Sequence, residues 1–193
     1  MKRAALVASG LAVTALLAWL LFVALPRWYT RSGPAAGANA SPAGAPDAQP
    51  VRKIKAHLFY VSDDGLRLTG IEQDVVYAEQ TPEQAREIVL AQIAPPEAPL
   101  ISAIPTGTSL RALFVTPDGQ AFVDLSSEFV DAHPGGSLNE LLTVYTIVHA
   151  LTLNLPAIIS VQLLVNGKEV ETLAGHVDLR HPLFKNLPLT IGN

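Results

Sequence analysis

The chain contains no cysteine among its 193 residues, and only 6% of its residues are aromatic. The lack of cysteine excludes disulfide bonds, thiolate metal sites, a cysteine nucleophile and a lipid anchor attached through cysteine. Stability must therefore come from packing and hydrogen bonding. The low aromatic content argues against a small-ligand or glycan site, because such sites are usually concave and lined by aromatic side chains.

The segment after residue 50 also has no excess of positive charge. Residues 51 to 193 hold nine Lys and Arg against sixteen Asp and Glu, a net charge of −7. Nucleic acid is bound mainly through basic side chains that neutralise phosphates, so this acidic region excludes a nucleic-acid partner. The same charge disfavours binding to anionic lipid headgroups.

Residues 4 to 25 form a long apolar run without a charged residue. As a helix this run extends about 33 Å, enough to cross a hydrocarbon core of about 30 Å. It also exceeds the roughly 7 to 15 apolar residues of a cleavable signal peptide. We predict a transmembrane anchor at 1–27. The alternative is a cleaved signal peptide, for which the small residues at 38–40 lie far from the run.

Basic residues flank this span on both sides. Lys2 and Arg3 precede it, and Arg27 and Arg31 follow it, so the positive-inside rule gives a modest preference for a cytoplasmic N-terminus. We therefore expect a single-pass cell-membrane protein whose C-terminal domain is extracytoplasmic.

A Pro/Ala/Gly-rich stretch separates the anchor from the rest of the chain. Residues 28–51 include too few large apolar side chains to offset the entropy of ordering, which predicts a flexible linker. The remaining segment, 52–193, is long enough for one hydrophobic core and short for two.

Turn residues and hydrophobic periodicity predict alternating strands and helices within this segment. The predicted elements in chain order are a strand at 54–62, short strands at 66–71 and 73–79, a helix at 82–94, a hairpin at 111–125, a helix from 137 to the Asn-Leu-Pro at 154–156, and a hairpin at 161–172. We predict an α+β fold, with a small mixed or antiparallel sheet and the two main helices packed on one face.

Specific residues mark the ends of these elements. Thr81 with Gln84, and Ser137 with Glu140, have the spacing of capping boxes, in which the first side chain caps the helix. The sequence Thr-Pro-Asp-Gly at 116–119 predicts the turn of the first hairpin. The pair Asn166-Gly167 predicts a two-residue turn in the second hairpin.

The two hairpins predict one uniformly apolar face and one mixed face. Odd-numbered residues are the more apolar set and should face the helices: Leu113, Val115, Val123, Leu125, Val161, Leu163 and Val165. The opposite face then carries Phe114, Phe122 and Leu164 among polar residues, and we predict it as a partner surface. The alternative is that the C-terminal segment, 182–193, folds back and covers these side chains.

Polar clusters offer weaker signals for chemistry. His176, Asp178 and His181 contain metal-ligand residue types, but in an extended segment His181 falls on the opposite side, so we interpret them as a solvated loop. Asp124 with the serines at 126–127 fits a strand that ends in a helix cap. We therefore predict no catalytic residue, no metal site and no cofactor.

Taken together, several segments resemble the GerMN family, a domain of bacterial sporulation and spore-germination proteins that also occurs in other envelope proteins. The matching residues are AIPTGTSL at 103–110, GQAFVDLSSEF at 119–129, GGSLNELLTVYTIVHALT at 135–152, VQLLVNGKEVETLAGHVDL at 161–179 and HPL at 181–183. The resemblance implies a compact domain, similar to the ring-building modules of envelope complexes and not known as an enzyme. This chain has one such domain and no lipid-attachment cysteine.

The leading hypothesis is a membrane-tethered, non-catalytic interaction or assembly module of the bacterial envelope, with a possible role in sporulation or germination. Its expected partners are other envelope proteins or further copies of itself. A small-ligand or glycan-binding domain is one alternative. A metal-dependent hydrolase is the other, and it would require His176 to bind a metal ion.

Overall fold

The computed structural model describes residues 51–191, together with Trp19. The elements are β1 Lys53–Val61, β2 Leu68–Val76, α1 Thr81–Ile93, β3 Leu110–Val115, β4 Gln120–Leu125, α2 Glu128–Asp131, α3 Ser137–Thr152, β5 Ser160–Val165, β6 Lys168–Glu169 and β7 Thr190–Ile191. The predicted anchor at 1–27, apart from Trp19, and the predicted linker, apart from Val51, lie outside the described residues. Within the described part, no helix is long and apolar enough to cross a membrane.

The strands form two sheets, so the prediction of a single sheet is wrong. The first sheet has the order β1-β2-β7, and the second has the order β3-β4-β5-β6. Neighbouring strands are antiparallel except for the parallel pairs β2–β7 and β4–β5. The short strands predicted at 66–71 and 73–79 are one continuous strand, β2, because Gly70 lies opposite Phe59 in the ladder and makes no turn.

Each long helix packs against both sheets. In α1, Val89 belongs to the core cluster of the second sheet and Ile88 to that of the first. In α3, Val148 belongs to the core cluster of the second sheet and Leu142 to that of the first. The predicted packing of both helices on one sheet face is therefore wrong. The reason is that α3 is buried at 11 of its 16 positions, and a helix buried all round needs neighbours on more than one side.

The predicted alternation of the hairpin strands is confirmed. Val123, Leu125, Val161 and Leu163 are almost fully buried in the core cluster of the second sheet. The other odd-numbered residues, Leu113, Val115 and Val165, also pack in or against this cluster. This assignment leaves the even-numbered side chains of β3 and β4 on the outer face.

Both predicted hairpin turns are present. Gly119 has a φ of +84°, and a Cβ at this position would lie 2.5 Å from the Ala157 carbonyl oxygen, so only glycine fits without a shift of the backbone. Asn166 and Gly167 have φ values of 51° and 75°, the two positive φ angles of a type I′ turn.

The long helices begin within one residue of the predicted positions, but the capping boxes are wrong. The residues at the N-cap positions are Gln80 and Gly136, and neither makes a side-chain cap bond. Gln84 instead donates to the Val76 carbonyl and accepts from the Ala78 N–H. A capping box predicts a local bond, whereas Gln84 fastens α1 to the end of β2.

A buried histidine connects the C-terminal segment to α3. His149 is fully buried beside the rings of Phe59 and Tyr145, and its Nε2 accepts a hydrogen bond from the Asn186 N–H at 3.1 Å. Burial lowers the pKa of His149 from 6.5 to about 4. The imidazole is therefore neutral in the folded protein at neutral pH.

This arrangement predicts a pH dependence of stability. Below its unfolded pKa of 6.5, His149 takes up a proton in the unfolded chain but not in the folded one, so stability is lost as the pH falls towards 4. Between about pH 7 and about pH 5 we expect the free energy of unfolding to fall by roughly 2 kcal/mol through this group, at 1.36 kcal/mol per pKa unit. Denaturant unfolding at the two pH values measures the change.

The matched variants are His149→Gln and His181→Gln. The first retains a side-chain acceptor for Asn186 but cannot titrate, so its stability should change much less between the two pH values. The second replaces an exposed histidine and should behave as the wild type. An unchanged pH dependence in His149→Gln would show that another group is responsible.

Candidate interaction surface

The strand register places the three predicted surface residues on one face of the second sheet. Phe114 lies opposite Phe122 in the β3–β4 pair, and Phe122 lies opposite Gln162 in the β4–β5 pair. In the next row, Asp124 lies opposite Leu164. Because side chains two residues apart on a strand share a face, both rows belong to the same side of the sheet.

Exposure is concentrated at one end of this face. Phe114 is 64% exposed, whereas Phe122 and Leu164 are half-buried. Gln162 is buried, and its amide donates to the Leu179 carbonyl at 2.7 Å. The apolar surface formed by Phe114, Phe122 and Leu164, called the Phe114 patch below, is therefore centred on Phe114.

Asp124 has an architectural role at the rim of this patch. Its carboxylate accepts hydrogen bonds from the Gly167 N–H at 2.7 Å and from Arg111 Nε at 3.3 Å. It thus ties the turn of the second hairpin to the first. Ser126 accepts from the Ser109 N–H, and Ser127 at the N-cap position of α2 makes no side-chain cap bond, so the predicted cap is wrong.

The C-terminal segment makes its bonds elsewhere. Leu183 pairs with Val161 through two backbone hydrogen bonds, and β7 pairs with β2. Phe184, in the same segment, is 61% exposed. Among the described residues, none of the hydrogen bonds or strand pairings of this segment involves the Phe114 patch.

The candidate metal residues are engaged with other partners. Arg180 makes a bidentate pair with Asp178 at 3.0 and 2.8 Å, and these hydrogen bonds lower the pKa of the Asp178 carboxyl. His176 Nδ1 lies 3.1 Å from Glu140, and His181 is exposed. Within residues 51–191, no three or more His, Asp and Glu side chains are grouped to hold a metal ion.

A family model described as sporulation and spore germination, with the name Germane, matches residues 57–171, more than half of the chain. The chain belongs to this family. It is a family of GerMN-like domains and not a known enzyme family. No curated protein matches the chain.

Two solved structures show the same fold. One is a protein from Clostridium perfringens provisionally described as a lipoprotein, with 22% identity and a TM-score of 0.51 over 70% of this chain and 90% of that chain. The other contains the tandem GerMN domains of the sporulation protein GerM from Bacillus subtilis, with 18% identity and a TM-score of 0.51. The match covers 70% of this chain and 46% of that chain.

In this GerMN-like domain, a buried carboxylate holds the loop after β6. Glu140 has no exposed surface, and its oxygens accept hydrogen bonds from the N–H groups of Leu173, His176 and Val177 at 2.8, 3.0 and 3.1 Å. Burial alone would raise the pKa of Glu140. The hydrogen bonds from the surrounding N–H groups together lower it by more, so the net shift is downward. The carboxylate stays charged and satisfies backbone donors that would otherwise be buried without acceptors.

Sequence reasoning assigned Glu140 to a local capping box and so missed this bond. The partners lie 33 to 37 residues away along the chain. A charged residue among apolar neighbours in the strongly apolar helix α3 is the signal that could have indicated a distant partner, because buried charges are paired or hydrogen-bonded.

A depression in the domain surface bears on the ligand-binding alternative. It has a volume of about 560 Å³ and is lined by the proline-containing stretch at 94–100 and by residues of β1 and β2. Its only aromatic lining residue is Tyr60, whose ring is almost fully buried. This depression offers no exposed aromatic surface on which a sugar could stack.

The Glu140 network predicts a large stability effect at a single position. Glu140→Gln should lower the free energy of unfolding by about 2 kcal/mol, because the amide turns an NH₂ group towards backbone N–H donors and loses the charge. Ser137→Ala, at the exposed start of the same helix, should change it by less than about 0.5 kcal/mol, since no cap bond is lost. Denaturant unfolding compares the two, and equal losses would contradict the assigned role of Glu140.

Proposed function

We propose that the chain is a membrane-tethered, extracytoplasmic and non-catalytic interaction module of the bacterial envelope. The observation that supports it best is the Phe114 patch itself, in which the exposed Phe114 lies beside the half-buried Phe122, since a contiguous apolar patch among polar residues is typical of an interaction surface. Family membership is consistent with a role in sporulation or germination.

The polar residues of the domain support a non-catalytic role. Glu140 and Asp124 bind backbone N–H groups, and Asp178 is paired with Arg180. A catalytic acid or base must be able to reach a substrate, whereas these groups are already occupied by structural partners.

Attachment to the membrane rests on the apolar run at 4–25 and on the linker that follows it. The solved relative from Clostridium perfringens, described as a lipoprotein, is consistent with a membrane-attached domain of this fold. The linker would hold the domain away from the bilayer, where its sheet face is accessible to other envelope proteins or to further copies.

Capture of partners from the native membrane tests this proposal. With the full-length protein and chemical crosslinking, Phe114→Ser and Phe122→Ser should lose the partners that the wild type captures, because each removes apolar contact area from the patch. Phe184→Ser is the matched control, since Phe184 is about as exposed as Phe114 but lies in the C-terminal segment. The Phe184→Ser variant should capture the same partners as the wild type.

Thermal unfolding of the same variants separates lost binding from lost folding. Phe114→Ser should melt close to the wild type, because most of the ring is already exposed. Capture that is equal in all three variants and the wild type would count against the Phe114 patch as a partner surface.

A further inference from the structure

Side-chain amides block the free edge of β1. The Asn154 amide accepts from the His57 N–H at 2.8 Å and donates to the His57 carbonyl at 2.7 Å. The Gln92 amide binds the N–H and carbonyl of Phe59 in the same way, at 2.7 and 2.9 Å. An amide has the donor and acceptor of a peptide group, so these two side chains occupy the places that a further strand would take.

The other edges of the first sheet are protected by charge or by shortness. The part of β2 that extends beyond β7 carries the exposed side chains of Glu72 and Asp74, and Asp74 pairs with Lys55 at 2.7 Å. Strand β7 is two residues long. Charged side chains and short edge strands are the usual means by which proteins prevent association through sheet edges.

The second sheet has one protected edge and one open edge. At one side, β6 has only the exposed and charged Lys168 and Glu169. At the other, β3 pairs with no strand besides β4 within residues 51–191. The Thr116 N–H bonds the Gln120 carbonyl, so in an antiparallel ladder the backbone groups of Leu113 and Val115 point away from β4.

These outward groups are free in the described part of the chain. Neither the N–H nor the carbonyl of Leu113 or Val115 has a hydrogen-bond partner among residues 51–191. Residues 112–115 carry no charge, and Phe114 between the two is 64% exposed. Only the bulge at Arg111 and Pro117 after the strand limit the length of this open edge.

We propose that β3 pairs antiparallel with β3 of a second copy of this chain, about a two-fold axis at Phe114. In this register Leu113 faces Val115 of the other copy, and their backbone groups can form four hydrogen bonds. The two Phe114 side chains then lie directly opposite each other and cover each other's exposed surface. This inference rests on the proposed function and specifies one partner for the same surface.

Local charge does not oppose a second copy on this edge, although the domain has a net charge of −7. When a strand pairs antiparallel with the same strand of a second copy, identical residues near the two-fold axis lie close together. Residues 112–115 contain no charged side chain, so they do not repel the same residues of the second copy. One short strand pair buries little area, so the contact is weak in dilute solution. Tethering of both copies to one membrane raises their effective concentration and compensates for this.

Disulfide crosslinking of the full-length protein in vesicles tests the register. The chain has no cysteine, so Phe114→Cys introduces its only thiol. In the proposed pair, residue 114 faces its own copy at a non-hydrogen-bonded position with Cα atoms about 4.5 Å apart, within the range for a disulfide. Under mild oxidation Phe114→Cys should give several-fold more covalent dimer than Phe184→Cys, whose native side chain has similar exposure.

A second substitution tests the role of the open edge. Val115→Pro removes an N–H that bonds nothing in the described domain, and proline is accepted on edge strands. Added to Phe114→Cys, it should abolish the excess of dimer while the melting midpoint is retained. If the proline lowers the midpoint, dilution of Phe114→Cys in the vesicles serves instead and should reduce the dimer in the same way.

Equal crosslinking of Phe114→Cys and Phe184→Cys would overturn the proposed pairing, as would disulfides formed by Phe114→Cys only with a different protein. Neither result would disprove the proposed function, because capture that depends on Phe122 is measured independently. Strong dimer formation together with capture that is unchanged in Phe122→Ser would instead leave the pairing and remove the wider partner surface.

Discussion

The structure depends on the burial of α3 on almost its whole circumference. Its threonines can be buried because the hydroxyls of Thr143, Thr146 and Thr152 donate to carbonyl groups one turn earlier in the same helix. Its single acid, Glu140, can be buried because a loop surrounds the carboxylate with N–H groups. A helix of this kind needs apolar neighbours on several sides, and one small sheet cannot supply them.

Two separate sheets satisfy this requirement, and they create a second constraint. Open sheets have edges with unpaired backbone groups, which invite association with other strands. The residues at the ends of the long helices solve this for β1, since Gln92 lies in the last turn of α1 and Asn154 lies just after α3. The same helices that form the core therefore also close a sheet edge. Within residues 51–191 no side-chain amide occupies the outward backbone groups of β3, and its exposed Phe114 is consistent with use of that edge for assembly.

The sequence predicts the features that depend on neighbouring residues. Pro117 and Gly119 define the first hairpin, Asn166 and Gly167 define the second, and the alternation of the hairpin strands identifies the buried face and places Phe114 opposite it. The features that it does not predict join distant parts of the chain. Gln92 and Asn154 bind backbone groups 33 and 97 residues away, and the capping-box pattern around Glu140 and Gln84 conceals their tertiary bonds. Gln162 has the alternation of an outer-face residue but is buried through its bond to Leu179.

Hydrogen exchange at the β3 backbone tests the central claim, assembly through an open sheet edge, most directly. The full-length protein would be placed in vesicles at high and at low protein density, and the exchange of the Leu113 and Val115 amides would be compared with that of His57 and Phe59 on the blocked edge of β1. The account predicts that the two β3 amides exchange rapidly at low density and become protected at high density, while the β1 amides are protected at both. Rapid exchange of the β3 amides at every density would contradict it.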